Sequence, residues 1–121
     1  MAGGRMRRVD EAMRAVLSSA IASDLKDPRV GFVTVTGVKT SPDLRHARVY
    51  VSVLGSDSER EESMTGLRSA HGFLQRRVAS ELTLKHTPSL AFEYDESVDR
   101  GLRINDLLET EARPGGEDPD R

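Results

Sequence analysis

FVTVTGVKTSPDLRHARVYVSVL, residues 32–54, decides the fold. In its second half, Ala47, Val49, Val51 and Val53 fall on one side and His46, Arg48, Tyr50 and Ser52 on the other. That period of two, rich in β-branched residues, marks a half-buried strand. In the first half, Val33 and Val35 alternate with Thr34 and Thr36 until Gly37 interrupts the pattern before Val38, which predicts a bulge or twist point. Ser41-Pro42-Asp43 between the halves is turn chemistry: proline presets its own φ, and Ser and Asp can bond nearby backbone. Two strands across a short turn form an antiparallel hairpin.

Upstream, Met6, Val9, Met13, Val16, Leu17, Ala20, Ile21 and Leu25 form one helical stripe, with Arg7, Glu11, Arg14 and Ser18 on the opposite face. No Gly or Pro interrupts residues 5–26, and Asp27-Pro28 ends the helix. Downstream, Gly55-Ser56-Asp57 reads as a loop and Ser58 with Glu61 as a capping box. A helical stripe follows through Met64, Leu67, Leu74, Val78 and Leu82, with Gly72 inside it as a candidate break. Leu90, Phe92 and Tyr94 alternate as a third strand, residues 98–109 read as a weak helix, and residues 110–121 (TEARPGGEDPDR) as a disordered acidic tail. The order α-β-β-α-α-β describes an α+β domain over residues 1–109. Its three-stranded sheet is covered by helices on one face; the other stays wet, with Thr34, Thr36, Arg48 and Ser52. Strands two and three, if adjacent, run parallel with a right-handed connection.

Leu, Ile, Val and Phe make up 28 of the 121 residues, enough for a modest single core. The absence of cysteine excludes a disulfide scaffold, a thiolate metal site and a cysteine nucleophile. No apolar run approaches the roughly 18 residues of a membrane span, and no apolar stretch follows MAGGRMRR to make a signal peptide. His46, His71 and His86 show no zinc-ligand spacing, and phosphate-loop, dinucleotide and nucleophile-elbow motifs are absent. No enzyme and no cofactor are expected.

Binding is better supported than catalysis, although the charge pattern by itself favours a solvated surface with an unstructured acidic terminus. Residues 1–90 carry 14 basic and 10 acidic side chains; residues 91–121 carry 4 and 10. The cations fall into three groups: Arg5, Arg7, Arg8 and Arg14; Arg45 and Arg48; and Arg68, Arg76, Arg77 and Lys85 around the glycine, with His71 and His86 nearby. Such groups, with the amides of a restarting helix, hold phosphates. The plainer alternative is that Arg76 and Arg77 solubilise a surface helix. With three Phe, two Tyr and no Trp, a base-stacking platform is not expected.

LKDPRVGFVTVTGVKTSPDLRHARVYVSVLG (25–55) and LRSAHGFLQRRVASELTLKHTPSLAFEYDESVDRGLRINDLL (67–108) closely resemble the ribosome-binding factor A family of bacterial small-subunit assembly factors. The resemblance spans about residues 5–108, and Ala70-His71-Gly72 matches the family's Ala-x-Gly kink, which stands where KH domains carry GxxG. It implies a type II KH-like fold, α-β-β-α-kink-α-β. It also implies binding to the free 30S subunit and the neck of 16S rRNA late in maturation, support for processing of the 16S 5′ end, and cold adaptation alongside assembly GTPases. The implied RNA-facing residues are Arg68, Ala70, His71, Gly72, Arg76, Arg77 and Lys85, with Arg5, Arg7, Arg8 and Arg14 on the first helix. A cytoplasmic monomer without membrane contact is the matching expectation. The alternatives are a KH-like module for another RNA or DNA, and a protein-interaction domain.

Overall fold

The computed structural model describes residues 2–97. The readings of residues 98–109 as a weak helix and 110–121 as a tail lie outside them. The elements are α1 (Ala2–Ser19), which continues as a π-helical turn (Ala20–Asp24), then β1 (Phe32–Thr40), β2 (His46–Leu54), α2 (Asp57–Ser69), α3 (His71–Glu81) and β3 (Ser89–Tyr94). The fold is the expected α+β, KH-like arrangement. The sheet order is β1-β2-β3, antiparallel between β1 and β2 and parallel between β2 and β3.

The bulge forms where the glycine interrupts the alternation. Val35 pairs with Val51 and Gly37 with Tyr50, so Thr36 is the extra residue. One inserted residue reverses the parity of the strand. Val33 and Val35 point into the core before it; Val38 and Thr40 do so after it. Thr36, the bulge residue, is half-buried, and its hydroxyl donates to Asp95 Oδ2 at 2.6 Å.

One face of the sheet presents Ala47, Val49, Val51, Val53, Leu90 and Phe92, all buried. Against all of these but Val53 pack Met13, Val16, Leu17, Ala20 and Ile21 of the first helix, Met64 and Leu67 of α2, and Leu74 and Val78 of α3, in one continuous cluster. Burying each large aliphatic side chain contributes about 1.5–3 kcal/mol before chain entropy is counted. The opposite face is open and carries Thr34, Arg48 and, at one end, the exposed pair Phe32 and Leu54.

The capping box forms two residues earlier than its expected position. Ser56, not Ser58, is the N-cap: its hydroxyl accepts from the Glu59 amide at 3.2 Å, and Glu59 Oε1 accepts from the Ser56 amide at 2.8 Å. Gly55, at φ +138°, makes the sharp entry just before it, a conformation that side chains resist. The loop after the first helix docks on α2. Ser63, buried, accepts from the Gly31 amide at 3.0 Å and donates to the Arg29 carbonyl at 3.3 Å. Gly66 lies under the same loop, where a Cβ would stand 2.7 Å from Val30 Cγ2.

Candidate nucleic-acid interface

The helical break pivots on Ala70, not on Gly72. Ala70 sits at φ −87°, ψ 12°, between the end of α2 and the start of α3. Its amide still reaches back to the Gly66 carbonyl at 3.0 Å, and its carbonyl accepts from the Leu74 amide at 3.0 Å. The chain therefore bends within one residue, α2 ending on the Ala70 amide and α3 beginning on its carbonyl. Ala70 packs half-buried against the core, so a small side chain suits the bend. It carries no polar atom to cap α3, and the helix start has no side-chain cap.

Gly72 lies inside the first turn of α3 and does not have the positive φ expected of a hinge. A Cβ there would meet only Arg76 Nη1, at 3.3 Å. The glycine thus gives room for the Arg76 guanidinium to lie against the first turn of α3. Arg76 is exposed and forms no ion pair with any described residue. A long, flexible cation beside an uncapped helix start, whose amides and dipole favour anions, suits a phosphate.

The other cations of this group divide by role. Arg77 turns away to Asp24, at 2.7 Å, and Glu81, at 3.5 Å, and lies over the Phe73 ring. The Asp24 carboxylate raises the guanidinium pKa further, and the pair fastens the end of the first helix to α3. Arg68 donates to the Phe92 carbonyl at 3.0 Å. Lys85 is exposed between α3 and β3, and His71 is half-buried at the start of α3. On α1, Arg5, Arg7 and Arg8 are exposed, while Arg14 is bonded to Glu11 at 2.9 Å. Arg7 and Arg14 border a groove of about 490 Å³ beside the β1 bulge. These α1 cations make a second basic area distinct in its lining from the α3 start.

Gln75 is a positioning residue that the sequence pattern did not single out. Its side-chain amide donates to the Pro88 carbonyl and accepts from the Leu90 amide. The strand pattern hinted at it: β3 is an edge strand, and an edge needs a polar partner from whatever covers it. His86 joins Arg45 and His46 around one hollow, so it belongs with the hairpin cations and not with the helical break. Among the described residues there is no His, Asp and Glu cluster able to hold a metal, and no helix long and apolar enough to cross a membrane.

The family model described as Ribosome-binding factor A matches residues 5–108. The chain belongs to this family. A ribosome-binding factor A from Geobacter metallireducens is 46% identical over 115 residues, covering 94% of this chain and 98% of the relative. One from Anaeromyxobacter sp. (strain Fw109-5) is 56% identical over 110 residues, covering 90% and 89%. The crystal structure of ribosome-binding factor A from Thermus thermophilus superimposes with a TM-score of 0.66 at 25% identity, covering 74% of this chain and 94% of that one. A homology model of the Thermus thermophilus ribosome-binding factor A, fitted into a cryo-EM map of its complex with the 30S subunit, gives a TM-score of 0.61 at 25% identity, covering 72% and 91%.

Proposed function

We propose that the chain binds the free small ribosomal subunit through 16S rRNA during late maturation, and so supports processing of the 16S 5′ end and growth in the cold. The observation that carries this is the family match across residues 5–108; a relative in that family has been fitted to a 30S complex. The geometry agrees with it: Arg76, unpaired among the described residues, lies beside the uncapped start of α3, and Arg5, Arg7 and Arg8 are exposed on α1. The RNA-binding unit is residues 1–109, acting as a cytoplasmic monomer, with residues 110–121 as a separate acidic tail.

The work done is selective binding. A protein that holds an immature rRNA conformation more tightly than the mature one shifts that folding equilibrium, and its release then requires a competitor or an energy-using partner such as an assembly GTPase. Cold stabilises misfolded RNA helices and makes such a bias more useful. Co-sedimentation tests this reading: the protein should run with free small subunits and leave translating ribosomes bare. Equal occupancy of both, or binding that survives ribonuclease, would overturn it in favour of another nucleic acid or a protein partner.

A further inference from the structure

We propose that the open end of the sheet beside the β1–β2 turn is a second phosphate-binding surface, taking a single-stranded RNA backbone; the ribosomal setting of this contact rests on the function proposed above. Two adjoining hollows meet there. One, of about 550 Å³, is bordered by Lys39, His46, Arg48, Ser89 and Ala91. The other, of about 370 Å³, is bordered by Arg45, His46, His86 and Ser89. Both volumes fall in the range of small-ligand clefts, about 300–1,000 Å³. Neither lining includes a carboxylate.

The cations Lys39, Arg45 and Arg48 come from both sides of the hairpin, and the imidazole of His86 joins them from the loop before β3, so folding assembles the surface. Lys39 and Arg48 are direct cross-strand partners. Like charges placed opposite each other weaken a sheet, and an anion between them reverses that penalty. Three nearby acids are already engaged: Asp10 accepts from the Thr40 amide at 3.0 Å, Asp43 accepts from the Ser41 hydroxyl and the Arg45 amide within the turn, and Glu93 pairs with Arg48 at 3.7 Å. That last pair is exposed on both sides and therefore weak enough for a phosphate to displace. The walls between the cations are small, Ser89 and Ala91, and neither hollow is bordered by an aromatic ring other than imidazole; this fits a backbone better than stacked bases.

The test uses a fluorescein-labelled uridine dodecamer and, separately, purified free small subunits, each titrated against the full chain over a salt series. Lys39→Ala with Arg48→Ala should weaken dodecamer binding about tenfold and reduce the log–log salt slope by about 1.4, two contacts at roughly 0.7 each. Because the substitution removes a like-charge pair, the fold should be retained, as circular dichroism would show. Glu93→Gln should act in the opposite sense and tighten binding about two- to fivefold, a gain that a merely structural role does not produce. Unchanged affinity and slope in the double variant would overturn the proposal, as would tighter binding of an acidic peptide of residues 109–121 than of the dodecamer. If the double variant matches the original chain on both probes while Arg76→Ala weakens subunit binding, the sheet-end site alone fails. If the dodecamer shows the predicted changes but subunits are not bound, the ribosomal reading fails and the sheet-end site stands.

Discussion

Arg68 and Gln75 stand on either side of the helical break and bond to the same outer edge of β3. Arg68 Nη2 donates to the Phe92 carbonyl at 3.0 Å, and Gln75 Oε1 accepts from the Leu90 amide at 3.1 Å. The alternate residues of β3 face β2: the Ser89 amide bonds to the Arg45 carbonyl and the Asp95 amide to the Val51 carbonyl. Leu90 and Phe92 therefore turn their backbone groups outward, toward the two helices. The angle between α2 and α3 is tied to the strand edge by one polar side chain from each, and the bend at Ala70 is what lets both reach.

Removing Gln75 should expose this dependence. Gln75→Ala leaves the Leu90 amide and Pro88 carbonyl without their partner in a half-buried setting. An orphaned backbone group costs about 1–3 kcal/mol. The chemical-denaturation midpoint should fall accordingly, and amide exchange at Leu90 should accelerate more than at Val49 in the sheet centre. Equal protection at Leu90 in both proteins would show that the edge is held by something else.

The glycines of α2 and α3, Gly66 and Gly72, should respond in opposite directions. Gly66→Ala drives a methyl into Val30, a stiff β-branched side chain, and overpacking of this kind costs about 1–3 kcal/mol. Gly72→Ala meets only the flexible end of Arg76, so higher helix propensity should add up to about 1 kcal/mol. Urea melts of the two variants test the pair; a destabilising Gly72→Ala would mean that the first turn of α3 needs its glycine for the fold and not for Arg76.

The hairpin, the crossover helices and the third strand were legible because periods of two and of 3.6 survive in the text, and Gly37 announced the bulge that inverts β1. The capping box was displaced because two Ser-x-x-Glu strings overlap, Ser56 with Glu59 and Ser58 with Glu61; only the backbone turn at Gly55 selects the first. The site was less legible for a physical reason. Arg76 and Arg77 are neighbours in sequence, yet one faces solvent while the other is neutralised by Asp24 from the far end of the first helix, a contact that no local pattern encodes. The same holds for Gly66, whose constraint comes from Val30 across the fold.

Arg76 and Arg77 should therefore separate binding from stability. Arg76→Glu changes a surface cation that is unpaired among the described residues and should leave the melt within about 0.5 kcal/mol. It should weaken binding to free small subunits and lower the salt slope by about 0.7–0.9, one phosphate contact. Arg77→Glu puts a third carboxylate beside Asp24 and Glu81 and should lower the melting temperature clearly. If Arg77→Glu keeps its melting temperature and loses binding instead, the ion pair with Asp24 gives way to RNA.

Asp27 predicts a stability change confined to acid. Its Oδ1 accepts from the Arg29 amide at 2.9 Å and from Arg29 Nε at 3.0 Å, while Oδ2 accepts from Arg29 Nη2 at 2.7 Å. The Arg29 guanidinium bonds, followed by the amide, hold the carboxyl down at about 2, against an ordinary value of 3.8. The folded value lies below the unfolded one, so folding favours the ionised form. The contribution is complete above the ordinary value and is lost as pH falls through about 2; it does not vary near neutrality. Asp27→Asn should therefore be less stable than the original chain near neutral pH, because an amide oxygen accepts from a guanidinium more weakly than a carboxylate. The gap between the two proteins in urea midpoint should stay constant from neutrality down to about pH 5 and then narrow steadily toward about pH 2. A gap that persists unchanged through that window would show that Asp27 shapes the loop over Gly66 through its geometry and not through its charge.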